Sequence, residues 1–203
     1  MDPKNFLPDF LASLIIVLRR YLNLIFTPYK TMRKISLEKD YVQVAIIFGL
    51  ALFYFYIRNI GARQQFSPFV YFLIFGLNSF LTLLFFYLGG LLFNKKVSLD
   101  SLLFTFSYAL YPTLTWFAAN SIFYIFIPPP RTFSLLGQSF SIFFMTFSIS
   151  LLFWKIILFY LAVRFSTKLN FFPILYLILL YFLFFIPITY GFYIFGLFKV
   201  PFI

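Results

Sequence analysis

Residues 171–198 have the sequence FFPILYLILLYFLFFIPITYGFYIFGLF and contain no charged side chain. A transmembrane α-helix needs about 20 predominantly apolar residues to cross the hydrocarbon core of a bilayer. Four other stretches have the same character and are separated by short charged, Gly-containing or Pro-containing loops: residues 42–57, 69–93, 102–127 and 134–163. The sequence therefore predicts an all-α, polytopic membrane helix bundle with five transmembrane helices.

The composition of the whole chain agrees with this prediction. Of its 203 residues, 63% are hydrophobic and 10% are charged. A soluble domain is about half apolar and a quarter charged, and even a well-packed chain of this length leaves much of its surface in contact with water. Lipid is therefore the solvent that fits most of this surface.

The first 41 residues are predicted to form a separate cytoplasmic segment that precedes the five-span domain of residues 42–203. Apolar side chains recur there at the three-and-four spacing of an amphipathic helix: Leu11, Leu14, Ile15, Leu18, Leu22, Ile25 and Phe26. Ser13, Arg20 and Thr27 lie seven residues apart on a narrow polar face, and Pro28 ends the pattern. We expect an in-plane helix with its apolar side in lipid and Arg20 facing water. A cleaved signal peptide is the alternative, but the charges follow the apolar run instead of preceding it.

Basic residues predict the orientation and the lipid contacts. The chain carries 16 Lys and Arg against 5 Asp and Glu, and eleven of the basic residues fall on the side of the N-terminus, against Arg58, Arg63, Arg131 and Lys199 on the other. The positive-inside rule places the N-terminus in the cytoplasm and the C-terminus outside or in a lumen, in the cell membrane of a prokaryote or an endomembrane of a eukaryote. The candidate contacts to anionic lipid headgroups are Arg19, Arg20, Lys30, Arg33, Lys34, Lys95 and Lys96.

Lys155, next to Trp154, is the one charge well inside a predicted span. A lysine at the centre of a bilayer costs about 2.5–3.5 kcal/mol on insertion scales. Lys155 either extends to the cytoplasmic interface or contacts backbone carbonyls, a lipid or an acidic partner between helices. The same helix carries Ser139, Ser141, Thr146, Ser148 and Ser150, whose hydroxyls either line a polar path or bond within and between helices.

The residue inventory argues against catalysis, cofactors and nucleic acid as a partner. The chain contains no Cys and no His, which removes thiolate chemistry and the usual general base. No carboxylate pair lies inside the spans, and no GxxxxGK[ST] loop occurs. A basic stripe on a folded soluble domain, as expected of a nucleic-acid-binding protein, is also missing from the sequence. We therefore expect a protein that is not an enzyme and has no cofactor or metal.

Three stretches carry a family resemblance: LNLIFTPYKTMRKI at residues 22–35, YLGGLLFNKKVSLDSLLFTFSYALYP at residues 87–112 and FWKIILFYLAV at residues 153–163. The chain resembles the Yip1 domain family, and among its members the short prokaryotic ones. The positions that match family motifs or predict helix kinks are Gly89, Gly90, Tyr108, Pro112 and Pro28. The resemblance implies a membrane organiser with a cytoplasmic N-terminus. Eukaryotic members act in secretory traffic and bind Rab-type GTPases, through an N-terminal signature that this chain lacks.

Two hypotheses of function follow. The first is a scaffold whose amphipathic helix and basic loops hold anionic lipid, and a membrane-protein or cytoplasmic partner, at the cytoplasmic face. The second is a pore-forming or accessory subunit of a transport system, motivated by Lys155 and the hydroxyl-bearing helix.

Overall fold

A computed structural model describes residues 6–38, 40–61, 66–93, 97–126 and 134–196. The described residues form eight helices, which are α1 (Phe6–Phe26), α2 (Pro28–Ile35), α3 (Tyr41–Gly61), α4 (Pro68–Phe93), α5 (Leu99–Ala109), α6 (Tyr111–Phe126), α7 (Leu135–Thr167) and α8 (Phe171–Ile194). The predicted all-α class is confirmed. Within the described ranges, four helices are long and apolar enough to cross a membrane, namely α3, α4, α7 and α8.

The stretch predicted as the third crossing is divided into two helices. Leu110 separates α5, with 11 residues, from α6, with 16 residues. Pro112 lies in the first turn of α6, where a residue needs no N–H for the helix, so proline is tolerated there. A proline at this point does not allow α5 to continue as a regular helix. The prediction placed a kink at Pro112, and the structure has a full interruption of one residue.

The helix boundaries correct one prediction about length. The predicted crossing of residues 42–57 alone is too short for a typical bilayer. The structure extends α3 from Tyr41 to Gly61, which is 21 residues or about 31 Å at 1.5 Å per residue. A helix of this length is long enough to cross a hydrocarbon core of about 30 Å, because its polar ends also adopt helical geometry.

Helix α5 lies at the centre of the bundle. Most of its side chains are buried, and it packs against α7 as well as α2, α3 and α4. The Thr105 hydroxyl donates to the Ala162 carbonyl of α7 at 3.4 Å. The Ser98 side chain accepts from the Ser101 N–H at 3.3 Å, so Ser98 is the N-cap of this helix.

Gly89 and Gly90 lie inside α4 and allow close packing rather than a kink. A Cβ on Gly89 would lie 2.6 Å from a methyl of Leu177 in α8, and one on Gly90 would lie 2.8 Å from a methyl of Thr167 at the end of α7. The pair therefore lets α4 approach two neighbours at once, as small residues do at membrane helix interfaces.

Candidate functional site

Helix α1 directs Ser13 and Arg20, two residues of its narrow polar face, toward the rest of the protein. Ser13, Val17 and Leu24 are buried, whereas Ile15 and Leu18 are 65% and 58% exposed. The predicted apolar face does point outward, but the prediction that Ser13 and Arg20 face water is wrong. Spacing shows which side chains share a face of a helix, and the polar side chains of this face find their partners on other helices.

Arg20 is the centre of a partly buried polar cluster, which consists of Ser13, Arg20, Glu38, Asp40, Gln43 and Tyr108. Its guanidinium forms an ion pair with Glu38 and donates to Gln43 Oε1 and, at 3.2 Å, to the Tyr108 hydroxyl. The Tyr108 hydroxyl, which is fully buried, also donates to Gln43 Oε1. One arginine thus joins α1 to the loop before α3, to α3 itself and to α5.

The electrostatics of this cluster keep Arg20 charged. Burial acts to lower the pKa of Arg20, but the hydrogen bond to Glu38 and the interactions with Tyr108 outweigh burial and raise the pKa above its ordinary value. A guanidinium that is paired in this way is occupied by protein groups. Its hydrogen-bond partners are carboxylate, amide and phenol groups of the same chain, and the contact of Arg20 with anionic lipid stays a prediction.

Asp40 provides the second half of the polar cluster. Its carboxylate accepts from the Ser13 hydroxyl and from the Gln43 side-chain amide, each at 2.8 Å. It also accepts from the Val42 N–H at 3.1 Å, which caps the first turn of α3. Two further hydrogen bonds hold α1 nearer its C-terminal end. The Tyr111 hydroxyl donates to the Val17 carbonyl at 2.8 Å, and the Tyr21 and Thr115 hydroxyls lie 3.0 Å apart.

Helix α2 is anchored on the last turns of α7. Pro28 occupies its first position, where a proline is well tolerated, and Met32 and Ile35 are buried beneath it. The Tyr29 ring lies edge-on to Phe165 at 5.0 Å, and the Arg164 guanidinium sits 5.8 Å from its centroid. Pro28 therefore acts as a helix start and not as a kink within a helix.

A basic groove of about 720 Å³ lies between α1 and α2. We define it by its four exposed basic residues, Arg19, Lys30, Arg33 and Lys34. Among the described residues that line it, the one acid is Glu38, whose carboxylate is paired with Arg20. Five of the predicted lipid contacts, these four and Arg20, thus line one groove, while Lys95 and Lys96 fall outside the described residues.

The neighbouring pair Trp154 and Lys155 points in two directions. The Trp154 ring lies edge-on to Tyr21 of α1 at 6.1 Å, and its Nε1 is buried with no hydrogen-bond partner within the described ranges. Lys155, which is partly buried, lines a separate cavity of about 240 Å³ inside the bundle. The prediction grouped the two residues as one contact, and the helix separates them.

The hydroxyls of α7 bond within their own helix. Ser141, Thr146, Ser148 and Ser150 each donate to the carbonyl one turn earlier, at 2.8–3.0 Å. Ser148 also accepts from Trp116 Nε1 of α6 at 3.1 Å. These contacts are those of helix packing, and the four hydroxyls are not among the residues that line the described cavity beside Lys155.

No protein-family model, curated protein or solved structure matches the chain. The basic groove and the cavity beside Lys155 are therefore interpreted from their own chemistry.

Proposed function

We propose that the chain is a non-catalytic, five-span membrane scaffold that holds anionic lipid in its basic groove at the cytoplasmic face. The observation that carries this proposal is the grouping of Arg19, Lys30, Arg33 and Lys34 around one groove beside the outward apolar side of α1. Each basic side chain near an anionic membrane surface contributes about 1 kcal/mol. Their grouping favours a stable lipid contact over a diffuse one.

The exposed side of α1 supports an in-plane position for this helix. Its outward residues are apolar, and a helix of this kind lies at the boundary of headgroups and acyl chains. With that depth, the neighbouring basic groove lies at the level of the headgroup phosphates. The polar cluster keeps α1 attached to the bundle in this position.

A fifth crossing made of α5 and α6 completes the proposed topology. A break within the membrane is tolerated where protein buries it, and the described residues on either side of Leu110 are buried. Three connections lie at one end of the bundle: the one that contains α2, the one before α5 and the one after α7. Tyr29 contacts Phe165 there, and the Ser98 N–H donates to the Ser166 carbonyl. These connections are the ones assigned to the cytoplasm by the positive-inside rule.

The membership in the Yip1 domain family and a role in membrane organisation remain part of the proposal. They rest on the three sequence stretches given above, since no family model matches. The close packing at Gly89 and Gly90, and the buried position of Tyr108, explain why these residue types occur there, but they fit any compact helix bundle.

Spin-labelled phosphatidylglycerol tests the lipid contact. Nanodiscs of phosphatidylcholine with a small fraction of the label report the immobilised lipid around the full-length protein. We expect Lys30→Gln/Arg33→Gln/Lys34→Gln to lower the preference for the anionic label at least fivefold, since one interfacial charge of about 1 kcal/mol alone corresponds to about fivefold. We also expect the preference of the parent protein to weaken in high salt. Arg58→Gln, at the opposite end of α3, is the single-charge control and is compared with Lys34→Gln. An unchanged preference in the triple variant contradicts the proposal.

A transport component is the second candidate function. The observation that favours it is the cavity beside Lys155, which lies among α3, α4, α5, α7 and α8. Flux of ions or small solutes through liposomes containing the protein distinguishes the two, because a scaffold passes nothing above the background of empty liposomes.

A further inference from the structure

The basic groove is built from one face of α1 and one face of α2. The groove-lining residues of α1 recur at the three-and-four spacing of a single helix face: Ile16, Arg19, Arg20 and Asn23. Those of α2 are Lys30, Thr31, Arg33 and Lys34. The exposed cations therefore approach the groove from both walls, one from α1 and three from α2.

The stability of α2 accounts for only part of this charge. Arg33 and Lys34 lie in the last turn of α2, where the helix dipole favours a cation. Lys30 lies in the first turn, where the same dipole disfavours one, and it is four residues from Lys34, a spacing at which like charges destabilise a helix. An anion in the groove relieves both unfavourable interactions of Lys30.

The exposed cations of the groove have no acidic partner within the described ranges. The acid that lines the described part of the groove is Glu38, and Arg20 holds it in an ion pair. Arg19, on α1, lies beside Arg20 in the sequence and forms no ion pair with a described acid. The groove therefore carries the charge of four cations that a ligand can neutralise.

The threonines of the groove use their hydroxyl hydrogens inside the protein. The Thr27 hydroxyl donates to the Asn23 carbonyl at 3.1 Å, and the Thr31 hydroxyl donates to the Thr27 carbonyl at 2.9 Å. The donors that remain for a ligand are mainly those of Lys and Arg side chains. Such a set favours phosphate oxygens, which Arg can bind in a bidentate manner, and repels the ammonium group of a zwitterionic lipid head.

The size of the groove exceeds what one phosphate fills. Its volume of about 720 Å³ is nearly five times that of a cavity of about 150 Å³ that admits benzene. One phosphodiester neutralises one of the four cations, whereas a head group with two phosphates can place one beside each wall. Ile16 and Leu37, both exposed, also line the groove, and they offer apolar surface to the first part of an acyl chain.

We propose that the basic groove selects a lipid whose single head group carries two phosphates. Arg19 contacts one phosphate from α1, and Arg33 contacts the other from α2, while Lys30 and Lys34 add to the positive potential. This inference rests on the proposed contact with anionic lipid and adds the chemical class of that lipid.

Cardiolipin is a matched probe, because it consists of two phosphatidyl groups joined by one glycerol. Two molecules of phosphatidylglycerol supply the same phosphate, charge and acyl chains in separate head groups. The full-length protein in phosphatidylcholine nanodiscs with a trace of spin-labelled phosphatidylglycerol is challenged with either unlabelled lipid at equal phosphate content. Diffuse attraction to surface charge gives equal displacement. We expect cardiolipin to displace the label about tenfold better, because its second phosphate binds at a high effective concentration.

Three arginine variants locate the two phosphate contacts. Arg19→Gln and Arg33→Gln each remove the contact on one wall, and we expect the advantage of cardiolipin to fall below about threefold in either. Arg58→Gln, at the opposite end of α3, removes the same charge and retains the full advantage. Arg19 and Arg33 are exposed, and circular dichroism verifies that the variants keep the parent helix content.

The possible failures are distinguishable. Equal displacement by the two lipids overturns the two-phosphate site but leaves the anionic lipid contact standing, whereas displacement by neither contradicts both. A full cardiolipin advantage in both Arg19→Gln and Arg33→Gln overturns the assignment to the groove. Soluble pyrophosphate that displaces the label as well as cardiolipin does, at equal phosphate content, overturns a lipid as the source of the two phosphates.

Discussion

Two cationic side chains lie inside this bundle, and their surroundings differ in kind. Arg20 is enclosed by an acid, an amide and a phenol of its own chain. Lys155 borders a cavity that has no acidic residue in its described lining. The first arrangement uses the charge to join helices, whereas the second places the charge at the edge of a cavity.

The difference teaches how to assign a role to a membrane-embedded charge. Removing one member of a satisfied polar network leaves the other members buried without partners, so the stability of the fold depends on all of them. A lysine beside a cavity is held at a cost to insertion, and its replacement by an apolar residue relieves that cost. The stability of the fold should therefore fall when Arg20 is replaced and change little when Lys155 is replaced.

The largest expected effect is at Arg20. Arg20→Met removes the ion pair with Glu38 and the hydrogen bonds to Gln43 and to the Tyr108 hydroxyl, and we expect unfolding to become easier by about 2–3 kcal/mol. Thermal unfolding in detergent, followed by tryptophan fluorescence, measures the change. Arg19→Met is the control, since Arg19 is exposed on the adjacent position of the same helix. Equal stability of the two variants contradicts the structural role of Arg20.

A smaller effect is expected at Tyr108. Tyr108→Phe keeps the ring, which lies 5.5 Å from the Arg20 guanidinium, and removes the hydroxyl that bonds Gln43 and Arg20. We expect a loss of about 1–1.5 kcal/mol of unfolding free energy. The same substitution at Tyr190, which is 63% exposed, should change the melting temperature little. A neutral Tyr108→Phe shows that the cluster does not depend on this bond.

The smallest effect on stability is expected at Lys155. Lys155→Met removes a charge that borders the cavity, and we expect an unfolding free energy within about 0.5 kcal/mol of the parent protein or slightly higher. The same melting experiment checks this. A loss as large as that of Arg20→Met makes Lys155 a structural residue and removes the contrast between the two charges.

The sequence predicted the helix class and the outward side of α1, but not what its inward side contacts. Periodicity places Ser13 and Arg20 on one face, and nothing local indicates that Asp40, Gln43 and Tyr108 lie opposite them. These partners come from 20 to almost 90 residues away along the chain, so only the packed bundle brings them together. A short polar line between two apolar flanks is the signal that such partners exist.

The interruption at Leu110 and the cavity illustrate the same limit. Pro112 predicts a local disturbance, yet whether a helix kinks or breaks depends on the helices packed around it. The hydrophobic pattern of α4 gives no sign that Asn78 and Gly76 border an internal space. That space arises where five helices meet, and no single stretch of sequence encodes it.

Site-directed spin labelling of α1 tests the inward orientation of Arg20 most directly. The chain contains no Cys, so single cysteines at Ile15, Leu18 and Leu22, and at Val17 and Leu24, can be labelled without other changes. We predict high accessibility to oxygen dissolved in lipid at the first three positions and low accessibility to both oxygen and a water-soluble nickel reagent at the other two. High accessibility of position 17 or 24 to the nickel reagent contradicts the orientation, because the polar line of α1 then faces water and Arg20 is not enclosed.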